Sequence, residues 1–134
     1  ENYAKNILRF TVTDARGQRL PHRMSRKQTW DVETKGLSEI RIDFDYRADV
    51  LGLNQAKIAD DFAFFTGTQL FLLPEGHRAR PSTVRFKLPA GWNIVSALKE
   101  TADPAVFTAA DIEADLAKAA IDQLVQLLDR LTAK

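Results

Sequence analysis

The residues most able to do chemistry in this 134-residue chain are two histidines and a few carboxylate pairs, since there is no cysteine. A zinc hydrolase needs three protein ligands and a general base, typically from His-Glu-x-x-His on a helix. His22 and His77 both lack that spacing. His22 follows Pro21 in a predicted strand and reads as a surface or edge residue. His77 closes Glu75-Gly76-His77, where a proline-glycine turn favours solvated side chains over a paired site. Asp43 and Asp45 alternate with Arg41 and Arg47, the pattern of a charge-laced exposed sheet face. Asp60-Asp61 has too few oxygen ligands around it to hold a cation. A glycine-rich phosphate loop and Gly-x-Ser-x-Gly are both missing, and the serines lack a base partner. No residue is therefore assigned to catalysis, to a cofactor or to a metal, and the chain is not expected to be an enzyme by itself.

Two basic groups could bind an anion: Arg19, His22, Arg23, Arg26 and Lys27, and then Arg78, Arg80, Arg85 and Lys87. Acidic residues interleave with basic ones elsewhere, and 19 lysines and arginines against 18 aspartates and glutamates leave a net charge of +1. Nucleic acid is not an expected partner. Nor is a membrane, because no apolar run approaches the ~20 residues that span a bilayer, and Glu1-Asn2-Tyr3 does not read as a signal peptide. Zero cysteines suit cytoplasm and periplasm alike. Phe62, Phe64 and Phe65 could wall a binding surface, although core packing is the commoner fate of such a group.

The elements that would position these residues are mostly strands. Asn6 to Thr13 alternates, and Asp14 to Gly17 is a turn into a second strand, Gln18 to Met24, with Pro21 at an edge or bulge. Gln28 to Glu33 is a third strand and Thr34 to Gly36 a turn. Ser38 to Ala48 sets Ile40, Ile42, Phe44 and Tyr46 against Arg41, Asp43, Asp45 and Arg47. Asp49 to Asp61 has no period and reads as a loop with a short regular piece. Thr68 to Leu73 is an apolar run read as a strand, ended by Pro74 and Gly76. Ser82 to Leu88 puts Val84, Phe86 and Leu88 on one face, with Arg85 and Lys87 opposite, before a Pro89-Ala90-Gly91 turn into Trp92. Phe86 and Trp92 are expected in the core.

The order Phe64-Phe65-Thr66-Gly67, Glu75-Gly76-His77, Arg80-Pro81 and Pro89-Ala90-Gly91-Trp92 resembles the N-terminal β-domain of the glycyl aminopeptidase family. These are thermolysin-like zinc peptidases that also carry a PDZ domain. Thr66 stands where that pattern usually has asparagine. Weaker similarity runs through Gln28 to Thr34 and Tyr3 to Asn6, and the resemblance covers residues 1–111. It implies a non-catalytic domain that packs on a catalytic domain and helps shape its cleft.

Composition changes after Phe107. Thr108 is placed as a helix cap, and Ile112, Leu116, Ala120, Leu124, Leu127, Leu128 and Leu131 follow at helical spacing. The expected fold is one α+β domain over 1–134. Residues 1–107 form an antiparallel sheet or partial sandwich, and 108–134 form one long amphipathic helix covering it. The apolar stripe must dock on its own sheet or on a second chain, giving a homodimer through the helix or an exposed sheet edge. Because the helix has no counterpart in the resembled domain, an engineered or chimeric origin is the alternative reading.

Overall fold

A computed structural model describes residues 3–52, 55–77, 79–112 and 115. The chain divides into two compact units, residues 1–48 and 49–134.

In the first unit a 3₁₀ turn, Tyr3–Asn6, leads into β1, Ile7–Asp14. This strand pairs antiparallel with β4, Ile40–Tyr46, matching Phe10 to Phe44 and Val12 to Ile42. Directly opposed residues share a face, so these four apolar side chains lie together and Val12 is fully buried. Between Ile7 and Arg9 the register slips by one. Leu8 is the extra residue of that bulge and is 60% exposed despite its apolar side chain.

The turn after β1 forms as expected. The Asp14 carboxylate accepts from the Arg16 and Gln18 backbone N–H groups at 2.8 and 2.9 Å. Gly17 takes φ +82°, which glycine adopts without a Cβ penalty. The returning chain meets the end of β1 through an Asp14 N–H to Gln18 carbonyl bond of 2.9 Å, a bridge between Thr13 and Arg19, and a Leu20 N–H to Val12 carbonyl bond of 2.9 Å. Pro21 then offers no donor, and the second strand, β2, starts at His22 and runs to Arg26. It pairs not with β1 but with β3, Thr29–Val32. The Trp30 ring of this hairpin stacks on Phe10 at 4.7 Å and 8°.

The second unit opens with a bridge from Asp49 to Lys57 and a small hairpin of β5, Lys57–Ile58, and β6, Ala63–Phe64. Its main sheet has the order β7-β9-β8, with β7 at Ser82–Arg85, β8 at Lys99–Glu100 and β9 at Val106–Ala109. Val84, Leu98, Phe107, Ala109 and Ile112 form the core, with Phe71, Leu73, Phe86 and Ile94 packed against it. β9 is paired on both edges. Val106 and Phe107 are both buried although they point to opposite faces.

Several expectations are corrected. The apolar run read as a strand over 68–73 begins as a one-turn helix, α1, Gly67–Leu70, closed by a Phe71 N–H to Gly67 carbonyl bond of 2.8 Å. One turn is too short to show a period, and it carries Phe71 and Leu73 to the core. β7 stops at Arg85 and does not reach Leu88. Phe86 N–H still reaches the Ala105 carbonyl at 2.8 Å, but Pro89 cannot extend the ladder and Leu88 is exposed. Phe86 packs on the core as expected, with Arg85 and Lys87 exposed, while Trp92 is only half-buried.

The expected fold class is also overturned. The described residues form small antiparallel sheets, with a 3₁₀ turn and one short helix, in place of a single sheet or sandwich under a long helix. Thr108 is not a helix cap: it pairs with Thr83 and Lys99 inside β9. Helical backbone starts only at Ile112, which is buried, and Asp115 N–H donates to the Asp111 carbonyl at 2.9 Å. The remainder of the expected helix, 116–134, lies outside the described residues.

Candidate functional site

Several of the side chains singled out for chemistry have local roles in the fold. His22 is exposed; its Nδ1 lies 3.1 Å from the Leu20 carbonyl, and its ring tilts against Phe10 at 5.3 Å. That contact joins an aromatic cluster of Phe10, Trp30, Phe44 and His22, which sequence reasoning missed. Its signal was alternation: Phe10 and Phe44 fall on the inward faces of their strands, but the Trp30 stack needs the tertiary pairing. In the same hairpin the Arg23 guanidinium reaches Asp31 at 3.4 Å, and Ser25 Oγ donates to Asp31 at 2.9 Å.

The Asp43 and Asp45 carboxylates face arginines and not each other. Arg9 sits directly across from Asp45 in the ladder and holds it with two bonds of 3.0 and 3.1 Å. Arg41 grips Asp43, two residues along its own strand, at 2.9 Å. The bond from Arg41 holds the Asp43 carboxyl below its ordinary range, while the two arginines are pushed upward by their carboxylate partners. This is the charge-laced face read from the alternation, and its exposed pairs add little stability.

His77 and Glu75 lie exposed in the turn after Pro74, where Gly76 has φ +77°. His77 N–H donates to the Pro74 carbonyl at 3.1 Å, and the His77 carbonyl accepts from Arg80 N–H at 3.3 Å. Arg78 lies outside the described residues. Arg85 leaves the expected basic group to donate to Asp103 at 2.9 Å. Asp103 also accepts the Ala105 N–H at 2.9 Å, and that backbone bond, followed by Arg85, lowers its carboxyl. Asp60 and Asp61 are exposed at the tip of the β5–β6 hairpin, closed by an Ala59 N–H to Phe62 carbonyl bond of 2.8 Å.

The three phenylalanines do not make one wall. Phe65 turns inward to meet Phe71 edge-on at 6.3 Å and Phe86 at 6.2 Å. Phe64 is half-buried opposite Lys57, and Phe62 is 41% exposed at the hairpin end. Among the described residues, no group of three or more His, Asp or Glu side chains is placed to hold a metal ion. No helix among them is long and apolar enough to cross a membrane.

The arrangement of small sheets can be compared with known proteins. Residues 1–117 match the family model of the Peptidase M61 N-terminal domain. The chain belongs to this family. The match bears out the resemblance to the N-terminal domain of a peptidase, and it runs past residue 111, where that resemblance had been expected to end. Among solved structures, an aminopeptidase N family protein from Idiomarina loihiensis aligns with a TM-score of 0.75 and 21% identity, over 86% of this chain and 20% of that one. At that identity the likeness is one of fold. The M61 N-terminal domain chain thus spans about a fifth of that chain's length. No curated protein matches it.

Proposed function

We propose that this chain is a non-catalytic β-domain that packs beside the catalytic part of an M61-type peptidase and helps to shape its substrate cleft. The observation that carries this reading is the family match over residues 1–117, which is to an N-terminal domain and not to a catalytic one. The local roles of the polar groups agree with it. His77 and Asp103 take part in turns of the second unit, and the arginine-carboxylate pairs Arg9–Asp45 and Arg41–Asp43 lace a sheet face of the first. The purified chain is expected to leave a substrate with an amino-terminal glycine intact, with or without added zinc. Hydrolysis by the chain alone that disappears with a chelator would overturn the proposal.

A further inference from the structure

β4 pairs with β1 on one flank, and among the described residues no strand pairs with it on the other. The bonds of β1 show which backbone groups of β4 are turned to that open flank. The Val12 carbonyl accepts the Leu20 N–H at 2.9 Å and the Asp14 N–H donates to Gln18, so both residues turn these groups away from β4. In an antiparallel ladder, opposed residues either bond to each other or both point outward. Ile42 and Ile40, opposite Val12 and Asp14, therefore point their N–H and C=O groups outward, as does Phe44 by the same alternation. Strand edges are ordinarily blunted by proline, a bulge or shortness. β2 has Pro21 before it and a bulge between Met24 and Arg26, but β4 runs seven residues without proline, and the bulge of its ladder lies in β1.

We infer that the open edge of β4 docks on a second copy of this chain, antiparallel about a twofold axis at Asp43, so that two β1–β4 pairs join into one sheet. The occupant is argued from charge, because the strand is complementary to itself. Glu39, Arg41, Asp43, Asp45 and Arg47 fall in one phase. An axis at Asp43 sets Arg41 opposite Asp45 of the second copy and Glu39 opposite Arg47, each pair made twice by symmetry. The outward-pointing residues then meet one another, Ile42 opposite Phe44 and Ile40 opposite Tyr46, and share the new backbone bonds. The other axes that bring outward-pointing residues together near the strand centre oppose like charges twice over. At Ile42 the axis sets Glu39 against Asp45, and at Phe44 it sets Asp43 against Asp45 and Arg41 against Arg47. At Asp43 the single like-charge contact is that residue with its own copy, and each carboxylate there is already held by its own Arg41 at 2.9 Å. Arg9 holds Asp45 at 3.0 Å, so the charges continue across the axis as a network and not as isolated pairs.

The test is sedimentation of the full 134-residue chain from micromolar to millimolar concentration, with two charge reversals measured apart and mixed. Arg41→Asp alone opposes two carboxylates at each Arg41–Asp45 contact, and Asp45→Arg alone opposes two guanidiniums. Each should weaken dimerisation at least tenfold. An equimolar mixture of the two variants restores opposite charges at both contacts and should dimerise within threefold of the parent chain. Lys87→Glu, at an exposed position of the second unit, should change nothing. The rescue separates the contact from damage to the fold, since two misfolded chains would not repair each other on mixing. A parent chain that stays monomeric throughout overturns the inference. So does a dimer that neither reversal weakens, which would place the contact on another surface, or a mixture that stays as weak as its components. The proposed function stands whichever result is found, because it rests on the family match and not on this edge.

Discussion

Replacing Phe107 by alanine should remove more stability than any other single truncation in the second unit. Phe107 lies on β9 between Val84 of β7 and Glu100 of β8, and the residue is 4% exposed. It touches Phe86 edge-on at 5.8 Å and packs with Val84, Leu98, Ala109 and Ile112. Truncating a buried phenylalanine loses its transfer free energy and leaves a cavity, a cost of about 3–5 kcal/mol. A whole domain holds only ~5–15 kcal/mol, so the variant should keep a fraction of its stability. With a urea dependence of ~1–3 kcal/mol per molar, the midpoint should fall by roughly 2 M. Phe62→Ala makes the same chemical change at a 41% exposed site and should cost below ~1 kcal/mol. Each unit carries one tryptophan, Trp30 in the first and Trp92 in the second, so a Trp30→Phe background lets Trp92 fluorescence report on the second unit alone. Equal midpoints for Phe107→Ala and Phe62→Ala would show that β9 is not the central core strand.

Other positions give sharper local tests. Gly17→Ala meets no atom within 4 Å, so its cost is the backbone strain of φ +82°, ~1–2 kcal/mol; a Trp92→Phe background followed through Trp30 should show this loss, and no loss would mean the turn is differently built. Phe10→Leu should remove ring contacts worth ~0.5–1.5 kcal/mol each, and with them the near-ultraviolet dichroism of the Trp30 stack; an unchanged spectrum would refute the stack. Asp103 and Asp43 titrate lower in the folded chain than the ordinary 3.8, so the stability they contribute is present above that pH and is lost as pH falls through their folded values. Carboxyl NMR titration should show both midpoints displaced downward and Arg85→Ala moving only that of Asp103, a result that an unshifted Asp103 would contradict.

How much of this was legible beforehand depends on whether a feature is local. β4 could be read because one of its faces is apolar and the other charged: Ile40, Ile42 and Phe44 alternate with Arg41 and Asp45, and nothing distant is needed to place them. The Asp14 to Gly17 turn was legible for the same reason, since its carboxylate and its glycine act within four residues. Partner choice was not. Asn6 to Thr13 alternates equally well whether it pairs with the next strand or with β4, and only the long-range ladder decides. Leu8 shows the same limit, because an apolar residue in phase with Phe10 becomes exposed once a bulge is inserted. Thr108 failed through competition: a threonine before Ala-Ala-Asp suits a helix start, but a β-branched residue also suits a strand, and pairing on both edges of β9 outweighs one cap bond. The hairpin from 49 to 64 was the least legible. Its strands are two residues long, too short for alternation to appear, so Asp49 to Asp61 reads as a loop with a short regular piece. Only the Ile58–Ala63 pairing and the Val50–Ala56 bond reveal the hairpin. Alternation over two residues has no period to read, so the face of each side chain follows only from its partner across the hairpin.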